Sequence, residues 1–298
     1  MSKQMKGTFM LLLAAMVWGA AFVAQTVGMD HVGPFTFQVF RQILGALVLL
    51  PVIFLRDKAG SDVNRPKTKE DYKVLIFSGF ICGLLLFFAC TFQQFGLLYT
   101  TPGRSGFITA LYVIMVPLSM VLFRKKVSLK VWISVALALV GLYFLCMDGS
   151  FRLGKGELYT LACATCYTVH ILYLERVTKK TDGVRLASLQ FFFCSVISIP
   201  FMFFTEQVDM KAVLDCWLPI CYTGLISSGV GFTLQIVAQK DTNPTLASIA
   251  MSMESVFAVL FGWILMGIHL LPKEIFGCFL MFAAIVLAQL PSRIKKTA

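Results

Sequence analysis

The chain has 298 residues, of which 58% are hydrophobic and only 14% charged, with a net charge of +11. Soluble globular domains carry about 45–50% apolar and about 25% charged residues, so this composition excludes one. The basic residues fall in short loops between apolar runs, which argues for a lipid bilayer as the partner and against nucleic acid.

Ten apolar runs of roughly spanning length follow one another, each bounded by charged, proline or glycine punctuation. They cover 7–27, 34–55, 73–99, 104–123, 129–147, 156–175, 185–205, 215–238, 244–266 and 272–291. The first is long and lacks a small-residue cleavage site, so it reads as a retained span rather than a cleaved signal. Trp18, Phe22 and Gln25 stand on it at i, i+4 and i+7, one helical face. A tryptophan this far from the interface is no belt anchor; it walls a substrate site or packs.

The second run holds Arg41, the one arginine or lysine deep inside a span rather than at its end, at a cost of ~2.5–3.5 kcal/mol on insertion scales. Gln38, Arg41, Gln42 and Gly45 are spaced as one polar helical face, which belongs in a bundle interior. Two readings stand: the guanidinium lines a substrate cavity and attracts a carboxylate, or it ties helices together through carbonyls. In the third run, Gln93 is an amide too costly to face lipid. "GFICG" at 79–83 is a small-xxx-small pattern for close helix contact, within one chain or between two.

The fourth run opens at Thr101-Pro102, a helix start whose free N–H groups can hold an anion beside Arg104, and it carries Tyr112. In the sixth, His170 shares a face with Tyr159, Cys163, Cys166 and Tyr173, as a proton relay or as hydrogen-bonded packing. Cys163-x-x-Cys166 has redox spacing but no second pair, and the cysteines read as small apolar packing residues. The eighth run supplies Gln235, Ser227 and Ser228. The ninth opens at Asn243-Pro244 and carries Ser252, Ser255 and Glu254, the only acid deep inside a span. Glu254 either carries a proton for coupling or serves as a permanent partner of Arg41. With three histidines and no zinc, Walker or nucleophile motif, neither metal nor cofactor is expected.

The basic residues fix a topology. Of 26 arginines and lysines, 20 fall on one side, 5 on the other, and Arg41 within a span. The positive-inside rule then puts both termini in the cytoplasm of a multi-pass protein of the cell membrane. The halves also match. An offset of 149 lays Gly7 on Gly156, Leu12 on Leu161, Ala15 on Ala164 and Pro51 on Pro200. Past the second span the offset becomes 142, laying Gln93 on Gln235, Thr100 on Thr242, Pro102 on Pro244 and Leu118 on Leu260. Two units, 1–148 and 149–298, are therefore expected, each of five helices. An odd count turns the second upside down relative to the first, an arrangement used by transporters. The expected fold is an all-α integral membrane protein of ten transmembrane helices in two inverted five-helix repeats.

These features resemble the EamA-type transporters of the drug/metabolite transporter superfamily. The residues that carry the resemblance are "LLLAAMVWGAAFV" with Trp18-Gly19, Arg41, and the proline-led "YTTPGRSGFITALYVIMVPL" and "KDTNPTLASIAMSMESVFAVLFGWIL". Where the family often has Glu-Pro, this chain has Glu254-Ser255. The resemblance covers essentially the whole chain and implies export, or sometimes import, of amino acids and other small metabolites.

The leading expectation is thus a secondary active transporter of small zwitterions, not an enzyme, working by alternating access around a midplane cavity. Arg41, Gln38, Gln42, Trp18, Phe22, Gln93, Tyr112, Gln235 and Ser252 are its candidate binding residues. Glu254 and His170 are its candidates for proton coupling. Only one arginine and no lysine lie deep within spans, which favours a zwitterion over a sugar phosphate. The alternatives are an enzyme acting on a lipid-like substrate, for which no acidic cluster exists, and a passive channel. The chain is a monomer or a homodimer on this evidence from sequence.

Overall fold

The computed structural model describes residues 3–59, 64–100, 102–125, 127–146, 154–267 and 271–290, and these are helical almost throughout. Their helices are α1 (Lys3–Met29), α2 (Pro34–Lys58), α3 (Lys69–Tyr99), α4 (Pro102–Thr109), α5 (Tyr112–Leu122), α6 (Leu129–Cys146), α7 (Lys155–Val177) and α8 (Gly183–Thr205). After these come α9 (Met210–Asp215), α10 (Trp217–Cys221), a π-helical segment (Tyr222–Phe232), α11 (Thr233–Gln239), α12 (Pro244–Met251), α13 (Glu254–Met266) and α14 (Pro272–Gln289). Among the described residues seven stretches are long and apolar enough to cross a membrane, fewer than the ten expected spans; Leu129–Phe144 is a shorter apolar helix, and neither α7 nor α14 is among the seven.

Helix starts follow local chemistry. The hydroxyl of Thr68 accepts from the Asp71 N–H (3.1 Å) while Asp71 accepts from the Thr68 N–H (2.9 Å), a reciprocal cap on α3. Asp182 caps α8 through the Arg185 N–H at 2.7 Å, and Asn243 caps α12 through the Thr245 N–H at 3.0 Å. The Thr101 cap and the Arg104 side chain lie outside the described residues.

Three expected spans differ in detail from the sequence reading. Run 104–123 is two helices, α4 and α5, joined through Ala110 and Leu111. Run 244–266 is likewise α12 and α13, joined through Ser252 and Met253. At both joints the backbone tightens to i→i−3 bonds, Val113 to Ala110 (2.9 Å) and Ser255 to Ser252 (3.2 Å). No proline is needed at 255: the Ser255 hydroxyl donates instead to the Gly106 carbonyl of α4, 3.2 Å away. Run 215–238 holds eleven residues of π-helix, with α9 set apart before it.

That segment is wide because α2 presses on it. A Cβ on Gly224 would stand 2.7 Å from the Leu44 Cβ and 2.8 Å from the Arg41 carbonyl, and one on Gly45 would stand 2.7 Å from the Ser228 Cβ. Small residues on both sides let the backbones approach, and the looser hydrogen bonding accommodates the crossing. The "GFICG" glycines make their close contact within the chain, against α8: Cβ atoms there would meet Leu189 and Phe193 at 2.7 Å.

The most extensive packing seams pair α6 with α14 and α3 with α7, followed by α2, antiparallel, with α8. Ser188 and Ser195 of α8 donate to the carbonyls of Ala46 (3.1 Å) and Val39 (3.2 Å) of α2. One buried apolar cluster joins α2, α3, α7 and α8 around Leu86, Leu174 and Phe191. Another joins α4–α6 and α12–α14 around Val113, Leu142, Ile249 and Met281. A smaller cluster, with Tyr112, Ile171 and Met251, borders a cavity in the bundle interior.

Candidate functional site

About 540 Å³ in and at the mouth of the cavity is not filled by protein atoms, open solvent included. Trp18, Phe22 and Gln25 line it from α1, Arg41 from α2, Gln93 from α3, Tyr112 from α5, Gln235 from α11 and Glu254 from α13. Tyr167 and Ile171 of α7 and Phe232 complete the walls.

Arg41 is 5% exposed, so its charge sits inside protein and not among acyl chains. One terminal nitrogen donates to Gln25 Oε1 at 2.8 Å, its Nε has no hydrogen-bond partner, and its guanidinium lies 5.8 Å from the Phe37 ring centre. Glu254 is 6% exposed and accepts from the Tyr112 hydroxyl at 2.9 Å. Glu254 is therefore held by a tyrosine and Arg41 by an amide. Among the described residues the two charges are not paired with each other, so the permanent Arg41–Glu254 partnership is not what the geometry contains.

The breaks explain why Tyr112 and Glu254 meet. Each is the first residue of the second half of an interrupted span, one at 112 and one at 254. A helix interrupted inside a bundle turns its new N-terminus and first side chains toward the cavity, where irregular backbone is tolerated. Trp18 donates from its indole nitrogen to the Ser227 carbonyl of the π segment (3.4 Å), and its ring packs 4.8 Å from Phe232. Gln235 Oε1 is buried without a partner.

Four sequence candidates do not face this cavity. Gln38 donates to the Ser198 hydroxyl (2.9 Å) in the α2–α8 seam. Gln42 accepts from Ser228 (3.4 Å) and points between α2 and the π segment. The shared-face reading of α2 was too coarse: adjacent residues diverge by about 100° around a helix, so Arg41 and Gln42 reach different neighbours. Ser252 donates to the Ile249 carbonyl at 2.8 Å, occupying an acceptor freed by the α12–α13 joint. His170 is fully buried against Gln190 (3.0 Å), on the side of α7 away from Ile171.

Tyr167, Ile171, Cys90 and Phe232 are lining residues that the sequence reading did not single out. Tyr167 and Ile171 are four apart, one turn, so the ladder from Cys163 was the available signal.

The sequence matches the EamA-like transporter family over residues 5–147 and again over 154–290. It is 31% identical over 283 residues to an uncharacterized transporter of Archaeoglobus fulgidus, covering 94% of this chain and 84% of that one. Bacillus subtilis YoaV, another uncharacterized transporter, is 22% identical over 281 residues, 92% of this chain and 94% of its own. A solved crystal structure has the same fold at a TM-score of 0.77 and 19% identity, over 96% of this chain and 97% of that one. With apolar helices of spanning length and both halves matched, the chain is a multi-pass membrane protein that belongs to the EamA-like transporter family.

Proposed function

We propose that this transporter is a secondary active carrier of small zwitterions such as amino acids, working by alternating access about the central cavity. One observation carries the reading. Arg41 and Glu254 line the same cavity, each satisfied only by a neutral side chain that a ligand can replace. A carboxylate suits the guanidinium, with its free Nε, and an ammonium suits Glu254 and the free oxygen of Gln235. Trp18, Phe22, Phe232 and Tyr167 supply apolar walls for a side chain. Glu254, able to bind substrate or proton, is the candidate for coupling. The export direction follows from the family resemblance.

Ten spans in two inverted repeats, 1–148 and 149–298, fit this mechanism because exchanging the conformations of the halves turns one access state into the other. Reciprocal contacts support that architecture. Asp57, ending α2, pairs with Arg185 of α8, while Glu206, ending α8, accepts from the Thr36 N–H and hydroxyl of α2 at 2.8 and 2.7 Å. Both pairs are related by the offset of 149: Asp57 to Glu206, and Thr36 to Arg185. Likewise Gly7 abuts Thr242 and its counterpart Gly156 abuts Thr100, while Tyr112 bonds its own counterpart Glu254.

The test is counterflow in proteoliposomes over a panel of amino acids. Arg41→Ala is expected to abolish saturable exchange. Glu254→Gln is expected to remove dependence on a proton gradient and to raise the KM of the exchange that remains. Flux that rises linearly with substrate indicates a channel, and no movement of any zwitterion rejects the reading.

A further inference from the structure

A second cavity lies away from the transport site, where the start of α3, the end of α7 and the turn after α5 meet on the side assigned to the cytoplasm. It is an open depression with about 970 Å³ free of protein atoms, open solvent included. Its lining includes Lys125, Arg176, Lys179 and Lys180 against a single acid, Glu175, a balance of four positive and one negative, or +3. Glu175 is already used: Lys179 reaches one of its oxygens at 2.6 Å and Lys125 the other at 3.4 Å. Lys180 and Arg176 have no acidic partner among the described residues; Arg176 lies over the Phe123 ring at 5.6 Å. A neighbouring depression of about 590 Å³ shares Lys180 and adds Arg65 and Lys67, balanced there by Asp71 and Asp182.

Beside these cations the surface is apolar. Phe77 of α3 and Leu122 and Phe123 at the end of α5 are 63%, 80% and 59% exposed. A soluble anion would use the cations and leave that surface idle, whereas a phospholipid uses both. Basic clusters next to spanning helices attract anionic headgroups, each lysine or arginine adding to the affinity. We propose that this cavity is a binding site for an anionic phospholipid, its phosphate held by Lys180 and Arg176 and its acyl chains lying over Phe77 and Phe123. The bound lipid contacts α3, α7 and the α5–α6 turn, the last two already tied by the Lys125–Glu175 pair.

Native mass spectrometry of the full chain in detergent, titrated with phosphatidylglycerol or with phosphatidylcholine of the same acyl chains, tests the site. Phosphatidylglycerol is expected to bind at least about tenfold more tightly. The double variant Arg176→Gln, Lys180→Gln should lose roughly thirtyfold of that affinity. The charge-preserving double variant Arg176→Lys, Lys180→Arg should retain it, and so should Lys211→Gln, Lys273→Gln on the opposite side. Equal affinity for the two lipids overturns the proposal, as does an equal loss in the opposite-side variant. Displacement of phosphatidylglycerol by inorganic phosphate at matching concentration assigns the cavity to a soluble anion and overturns the lipid. Each result is independent of transport, so the site stands or falls separately from the zwitterion carrier.

Discussion

Arg41 and Glu254 reach the cavity from different helices, each held by one neutral hydrogen bond. The Tyr112 hydroxyl is the donor to Glu254, and both side chains are buried. A buried hydrogen bond to a charged group contributes about 1.5–3 kcal/mol, and removing the donor leaves the acceptor unsatisfied. Tyr112→Phe is therefore expected to lower stability by an amount in that range, and Glu254→Gln to change it less, because an amide oxygen still accepts. The double variant should lose less than the sum of the two. A thermal-unfolding double-mutant cycle in detergent measures this, and simple additivity would show that the bond carries no coupling.

At the scale of elements, the π segment and α2 fit because glycine stands on both sides. Enlarging Gly224 drives a side chain into Leu44 and the Arg41 carbonyl, and so into the element that positions the guanidinium. Gly224→Leu is expected to destabilise by about 1–3 kcal/mol or more. It should also weaken substrate affinity, whereas Ile226→Leu, at a half-exposed neighbour, should change neither. Unfolding midpoints and counterflow KM separate the two effects. The Glu206 carboxylate satisfies two orphan N–H groups of α2, Phe35 (2.7 Å) and Thr36 (2.8 Å), together with the Thr36 hydroxyl. An acid at a helix N-terminus is favoured by both hydrogen bonding and the helix dipole. Glu206→Gln should cost about 1.5–3 kcal/mol, with Thr36→Ala costing less because the backbone donors remain.

Across the whole molecule, α2 and α8 are fastened at both ends by contacts of matched position: Asp57 with Arg185 at one, Glu206 with Phe35 and Thr36 at the other. A carrier that opens to one side at a time has to release one fastening while keeping its counterpart. Asp57→Asn is expected to raise the reactivity of the cavity thiol Cys90 toward a reagent added on the α2 C-terminal side. Glu206→Gln should raise it from the opposite side. Side-specific labelling of oriented vesicles, read at the Cys90 peptide, decides the matter. The same sidedness for both variants would contradict reciprocal gating.

Much was legible in the chain itself. Composition and apolar run length determined a helical membrane protein, because a bilayer leaves unpaired backbone no solvent. Arg41, Gln93, Gln235 and Glu254 stood out because polar groups deep in a span are costly unless protein surrounds them, Trp18 and Phe22 because they share a helical face with Gln25, and Tyr112 because the offset of 142 lays it on Glu254. The rest depended on neighbours distant in sequence. Helical spacing put Gln38, Gln42 and Arg41 on one stripe, but which helix each side chain meets was decided by where α1, α8 and the π segment pack. No glycine or proline stands at the joint residues Ala110–Leu111 or Ser252–Met253. Those interruptions and the bond between Tyr112 and Glu254 arise only when the two halves pack together. Hydrophobic periodicity records which residues avoid lipid; tertiary packing alone decides which of them face a ligand.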